Sequence, residues 1–209
     1  MCSYDLAGRS VIQLSTGTPN EAREAADWIT DCGGAYIEGA VLGGPSDIGT
    51  ADGQILFAGP DAAYAQVEPL VRCLAGKGRY LGENIGAAAA LDLAWLCQRF
   101  GLFLGLSQGA LLCEAEGVSV GIYATMFPEG DRSHSFAEVI HADAFENPTA
   151  TLSVWEAALR RIQQQALDAG INNEIPEFVS GLFKRAVAAG HGEEDVAALI
   201  KLLRQGDGA

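Results

Sequence analysis

Residues 86–96 read GAAAALDLAWL, a run in which every position except Asp92 is apolar or glycine. The run opens a helix expected over 85–115, and it divides the chain into two kinds of sequence. Upstream, short apolar segments alternate with helical ones. SVIQL (10–14), YIEGAVL (36–42), QILFAG (54–59) and RYLG (79–82) read as strands. STGTPNEAREAADWI supplies a helix start between the first two. Thr18 is a good N-cap, Pro19 suits the first helical position and Glu21 stands three residues after the cap, which is a capping box. Gly33 and Gly34 stop that helix, and residues 61–75 form a second one. Strand and helix thus alternate over residues 1–83, an α/β pattern. Downstream, segments 119–127, 134–145, 150–169, 175–189 and 193–204 all read as helices broken by Gly, Pro and Asn. The expected fold is an α/β lobe over 1–83, followed by an all-α dimerisation and substrate domain over 84–209 that includes the long helix.

A long apolar helix raises the question of a membrane. Asp92, Gln98, Arg99, Ser107 and Gln108 interrupt this one, and a central acid and base each penalise insertion by several kcal/mol, roughly. A helix apolar on most faces is otherwise buried in protein, often between subunits. Gly101, Gly105 and Gly109 recur every four residues. Each costs about 1 kcal/mol of helix propensity, so a closely packed helix is expected against them.

The totals exclude several classes. A chain of 209 residues with 49% hydrophobic residues can bury a sizeable core. A formal net charge of −14 argues against nucleic acid and anionic membrane surfaces, which require an excess of Lys and Arg. The five cysteines (Cys2, Cys32, Cys73, Cys97, Cys113) include no CxxC, and MCSYDLAGRS has no apolar run after a basic start. Free, buried thiols in a reducing cytoplasm are the expectation. His134, His141 and His191 are scattered without ligand spacing, so no metal site is expected.

Asp92 is the candidate functional residue. A buried carboxylate must find donors or take up a proton. Trp95 and Leu96 lie one turn on and Arg99 two turns on, about 10 Å along the axis, too far for an ion pair within one straight helix. Spacing alone leaves open a structural acceptor and a functional acid.

The stretches LAGRSVIQLSTGTPNEAR (6–23), AYIEGAVLGGPSDIGTADGQILFAGP (35–60), YLGENIGAAAALDLAWL (80–96) and FKRAVAAGHGEEDVAALIKLLR (183–204) resemble the carboxyl-terminal two thirds of an imine reductase. These enzymes belong to the NADPH-dependent β-hydroxyacid dehydrogenase superfamily. The resemblance implies a truncated Rossmann-like lobe, a long inter-lobe helix, a helical bundle and an intertwined homodimer. It places the catalytic position six residues after the glycine that opens the long helix, which is the spacing from Gly86 to Asp92. Asp92 would then be the acid that protonates or steers an imine nitrogen at a pocket where the lobes join. Trp95, Leu96, Phe100 and Leu42 would line the substrate, with Trp155 and Phe178 from the later helices. Arg99 reads either as a surface or inter-subunit cation or as a holder of a substrate carboxylate or phosphate. His191 reads as a residue at a helix start.

One departure from the family bears on function. The 209 residues contain no GxGxxG, the loop that cradles a dinucleotide pyrophosphate. Three readings follow. The first is a cofactor-independent acid/base enzyme acting on an imine, iminium or carbonyl compound in small-molecule biosynthesis. The second is a fragment or split form of an NADPH-dependent imine reductase. The third is a non-catalytic dimerisation partner of a full-length relative. All three expect a homodimer or heterodimer in the cytoplasm, with no nucleic acid, membrane or metal.

Overall fold

The computed structural model describes residues 4–205. The chain divides into two compact units. The first comprises residues up to Trp95 together with Gln164–Ile171, and the second comprises Leu96–Gln163 and the residues from Asn172 onward. The division falls inside the long helix, after Trp95.

The first unit is built on a four-stranded sheet. Strands β1 (Ser10–Gln13), β2 (Ala35–Val41), β3 (Ile55–Ala58) and β4 (Arg79–Tyr80) lie in that order across it. β1 and β2 run parallel, joined by helix α1 (Pro19–Asp31). β3 and β4 run parallel, joined by α2 (Asp61–Leu74). β2 and β3 are antiparallel, so the sheet is mixed, not the parallel sheet of a whole Rossmann lobe. The physical reason is the β2–β3 connection. Residues 42–54 form a glycine-rich loop with a single short turn at Pro45–Asp47, and an antiparallel pair needs no crossover helix.

The capping box is present. The Thr18 hydroxyl accepts the Glu21 amide at 3.1 Å and the Glu21 carboxylate accepts the Thr18 amide at 2.8 Å, a motif whose removal costs about 1 kcal/mol. Gly33, at φ +81°, ends α1 in the left-handed region that favours glycine.

Alternation along the strands gives the sheet two apolar faces. Ile37, Ile55 and Phe57 face Ala63, Val67 and Val71 of α2. Ala40, Leu56 and Ala58 face Ala88 at the start of α3 (Ala87–Ala115), with Leu42 and Leu81 at the edge of that cluster.

The second unit is helical: the remainder of α3, then α4 (Val120–Ala124), α5 (Arg132–His141), most of α6 (Leu152–Ala169), α7 (Glu174–Ala186) and α8 (Leu199–Leu203). Its centre is aromatic. Phe103 stands 4.8 Å from Trp155 and 5.5 Å from Phe136, while Phe100 stands 5.3 Å from Phe183 and 5.6 Å from Trp155, measured between ring centroids. Arg204 donates to both oxygens of Glu114, at 2.6 and 3.1 Å, tying the last helix to the end of α3.

Among the described residues, the glycine stripe on α3 is approached closely at Gly109 alone. A Cβ on Gly109 would meet the Tyr123 ring at 2.4 Å, whereas Gly101 and Gly105 have nothing within 4 Å. α3 is long and apolar enough to cross a membrane by length and composition, and its Asp92 is buried in protein.

The cysteines depart from the expectation of buried free thiols. Cys73 and Cys97 are free but exposed, and Cys113 is free and half-buried. Cys32 is buried but disulfide-bonded. Cys2 lies outside the described residues.

Candidate functional site

Two buried carboxyl groups meet in the first unit. Packing of Ala88 against Ala40, Leu56 and Ala58 sets the start of α3 on one sheet face. Asp92 is one turn further along the same side of the helix. Glu38 shares its sheet face with Ala40 and Tyr36, because side chains two apart in a strand point the same way. The two acids therefore share one environment, in which the Asp92 charge acts on Glu38. Asp92 is 4% exposed and Glu38 2% exposed, so both carboxyls are nearly stripped of water.

Each has one neutral donor. The Tyr36 hydroxyl donates to Glu38 Oε2 at 2.5 Å, and the hydroxyl of Thr16 donates to Asp92. Tyr36 is itself buried, and burial raises its pKa well above the ordinary tyrosine range, as does the adjoining Glu38. It stays a donor at any working pH. Thr16 is exposed, in the loop between β1 and α1, and so gives the Asp92 end of the pair an edge toward solvent.

Burial dominates the titration of both groups. It pushes Asp92 up to about 6, against a lowering by the Thr16 hydrogen bond. It pushes Glu38 up to about 7, with the Tyr36 hydrogen bond lowering it and the charges of Asp92 and Glu21 raising it. The Asp92 charge opposes ionisation of Glu38. Near neutrality the pair holds a proton that an ordinary carboxyl would have lost. Such a pair can donate a proton to a basic nitrogen or oxygen and then stabilise the resulting cation.

Gly86 explains the local fit. A Cβ there would lie 2.8 Å from Arg23 Nη1 and 3.0 Å from the Cβ of Pro19. Its absence lets the first turn of α1, with Glu21 and the preceding Thr16 loop, sit against the start of α3.

The other residues picked out from sequence fall in different places. Leu42 is half-buried in the first unit, at the edge of the cluster containing Ala88. Trp95 is half-buried at that unit's last position in α3. Leu96, Arg99, Phe100, Trp155 and Phe178 belong to the second unit. There Phe100 and Trp155 come together in the aromatic core, and Phe178 is 64% exposed on α7. Arg99 is half-buried close to Asp131 and Arg132, and burial together with the Arg132 charge lowers its pKa. His191 pairs with Glu194 at 3.2 Å, in the turn between α7 and α8. Sequence reading missed Glu38, Tyr36 and Thr16. A lone acid inside the apolar strand YIEGAVL was the signal available for Glu38.

Both strand-to-helix junctions of the sheet place a carboxylate in the first helical turn. At the β1–α1 junction the Thr18 and Glu21 amides are already taken by the capping box, and the Glu21 carboxylate occupies the end of the helix where an anion would bind. At the β3–α2 junction Pro60 has no N–H, and Asp61 puts another carboxylate in the first turn. No groups of three or more His, Cys, Asp or Glu that could hold a metal occur among the described residues.

Comparisons with known proteins agree with this architecture. A family model described as the C-terminal domain of NADPH-dependent reductive aminase-like proteins matches residues 84–205. The NADPH-dependent reductive aminase of Aspergillus oryzae is 28% identical over 96% of this chain and 71% of its own length. A reductive aminase from Aspergillus terreus, solved with NADPH and ethyl levulinate, is 30% identical, covers 96% of this chain and 72% of its own, and superposes with a TM-score of 0.56. A 3-hydroxyisobutyrate dehydrogenase from Salmonella typhimurium, at 17% identity and covering 94% of this chain and 70% of its own, shares the fold with a TM-score of 0.83. With more than half of its residues matched by that family model, the chain belongs to the NADPH-dependent reductive aminase-like family.

Proposed function

We propose that the chain is an acid/base enzyme acting on an imine, iminium or carbonyl compound in small-molecule biosynthesis, with Asp92 as the proton donor and acceptor. The observation that carries this reading is the burial of Asp92 beside Glu38, which holds its carboxyl at about 6. An acid tuned close to neutrality contributes roughly 10²–10⁴ to a proton-transfer rate. Asp92 gives its proton to the imine nitrogen, and the carboxylate left behind stabilises the iminium. The Asp92 carboxylate then takes a proton from the carbon next to C=N, giving the enamine and restoring the acid. Cyclisation, addition, dehydration and isomerisation all proceed through such steps.

The reading assigns no dinucleotide to the residues of this chain, in keeping with the capped amides at the β1–α1 junction and the Asp61 carboxylate in the first turn of α2. Family membership favours a second reading, an NADPH-dependent reduction in which the nucleotide phosphates are held elsewhere. In that case Asp92 keeps its role as the acid.

A homodimer is part of the proposal. Leu112 on α3 is 62% exposed, with no described residue within 4 Å of a Cβ at Gly101 or Gly105 on the same side, a face that a second copy would cover. A cytoplasmic setting, without membrane or nucleic-acid partners, is supported by the free thiols of Cys73, Cys97 and Cys113 and by the net charge of −14. The bonded Cys32 pulls the other way.

The test is deuterium incorporation into 2-methyl-1-pyrroline in D₂O, followed by proton NMR without added nucleotide. Exchange at the carbons next to C=N well above the uncatalysed rate is expected. No exchange without NADPH, together with turnover and micromolar NADPH binding by calorimetry, would replace the first reading with the second.

A further inference from the structure

We propose that the exposed aromatic pair Tyr4–Trp28, on the outer face of α1, is a docking point for a basic segment of a partner protein, with an arginine or lysine side chain seated on the rings and its charge facing Asp27 and Asp31. No part of the Asp92 site is involved.

The pair is held in place by backbone. The Leu6 amide donates to the Cys32 carbonyl at 2.8 Å, and a Cβ on Gly33 would stand 3.6 Å from the Ala7 backbone. The segment that carries Tyr4 therefore lies against the C-terminal end of α1. There the Tyr4 and Trp28 rings meet with centroids 6.3 Å apart and planes at 72°. Tyr4 is nonetheless 66% exposed and Trp28 51% exposed, so two large rings stay in water. Glu24 and Asp31 lie one turn either side of Trp28, and Asp27 lies one turn from both. All three acids are exposed. Glu24 accepts a hydrogen bond from Asn20 at 2.9 Å, while Asp27 and Asp31 enter no ion pair among the described residues. The last turn of α1 contains no basic residue, although a cation is favoured at that end of a helix and an anion is not. The acids thus stand where the helix suits them least, beside the kind of ring that attracts a cation most strongly.

Charge complementarity selects the occupant. A second copy placed face to face here would set Asp27 and Asp31 against their own duplicates. Nucleic acid and anionic lipid are repelled by a chain of net charge −14. A neutral apolar segment would cover the rings and gain nothing from the acids. An arginine- or lysine-bearing segment gains from both, because the rings take its alkyl stem and its cation while the carboxylates hold its charge. Trp and Tyr are also the side chains that dominate binding at protein interfaces, together with Arg.

NMR of the indole N–H groups tests this, with the Trp28 signal identified by its loss in Trp28→Ala. The probe is a short capped peptide of alternating Arg and Ala, set against the same peptide with Glu in place of Arg. The Arg peptide should move the Trp28 signal saturably at low salt and leave those of Trp95 and Trp155 in place. The Glu peptide should move none of them, and the response should fade as NaCl approaches about 1 M, where charges are screened beyond about 3 Å. Calorimetry should show affinity lowered roughly three- to tenfold in the Asp27→Asn, Asp31→Asn double variant and lost in Trp28→Ala. Both acids are exposed, so the double variant keeps the test decisive if Trp28→Ala fails to fold. A Trp28 signal that the Arg peptide does not move overturns the proposal. Equal affinity in the wild type and in the folded variants also overturns it, by assigning the binding to the overall charge of the chain. A Trp28 signal that moves with protein concentration alone puts a second copy on this face and overturns it as well.

Discussion

The Tyr36 hydroxyl donates to Glu38 at 2.5 Å, two residues along the same face of β2. A donor that never ionises thus fixes a carboxyl that does, inside a face otherwise made of Ala40, Leu56 and Ala58. The bond is worth more when Glu38 is charged than when it is neutral. Tyr36→Phe should therefore destabilise the protein by roughly 2–3 kcal/mol at pH 8 and by about 1 kcal/mol at pH 5. Urea denaturation at the two pH values measures both, and equal losses would place the value of Tyr36 in packing alone.

Stability should fall as pH rises through neutrality. The folded-state pKa values of Asp92 and Glu38 are raised, from 3.8 to about 6 and from 4.5 to about 7. The folded protein therefore binds more protons than the unfolded chain between roughly pH 4 and 7, and linkage makes stability decrease with pH across that window. The contribution is fully present below the unfolded values and is lost as pH passes the folded ones. At 1.36 kcal/mol per unit each group accounts for at most about 3–3.5 kcal/mol. Tm is expected to drop between pH 5 and 8, and Glu38→Gln should flatten the slope. A Tm that rises over that range would contradict the burial of the pair.

Much of the fold was legible because its signals are local. Thr18 and Glu21 form the capping box their spacing announces, and the helix expected over 85–115 runs from Ala87 to Ala115. The antiparallel placement of β3 was not legible, since pairing is non-local and the loop 42–54 is compatible with either direction. Asp92 stood out because its helix is apolar on every side. Glu38 did not, because a strand residue can face solvent, and only the arrival of Ala88 on that face decides that Glu38 does not. The aromatic core joins Phe100 and Phe103 to Phe136, Trp155 and Phe183, positions whose proximity no local period encodes.

Gly86 should tolerate no side chain without loss. A Cβ at 3.0 Å from Pro19 forces α1 and α3 apart, and overpacking of this kind costs roughly 1–3 kcal/mol. Gly86→Ala is expected to lower stability by about 1 kcal/mol or more and to shift the Asp92 titration, because the Thr16 loop moves with α1. Unchanged stability with an unchanged Asp92 midpoint would remove Gly86 from the account of the site.

The exposed face of α3 is expected to meet a second copy. Light scattering at micromolar concentration should give the mass of a dimer, twice 21.8 kDa, and Gly105→Glu should give a monomer because it sets a charge in the open stripe. A wild-type monomer would leave that face without a partner.

Asp92→Asn, purified and assayed for 2-methyl-1-pyrroline exchange alongside its melting curve at pH 8, tests the central claim most directly. Asn keeps the shape but cannot supply or take a proton at neutral pH. The account predicts that exchange falls by roughly 10²–10⁴ while Tm holds or rises, because a desolvated charge has been removed. A Tm lowered by several degrees with the exchange rate of the folded protein preserved would make Asp92 a structural acceptor and contradict its assignment as the acid.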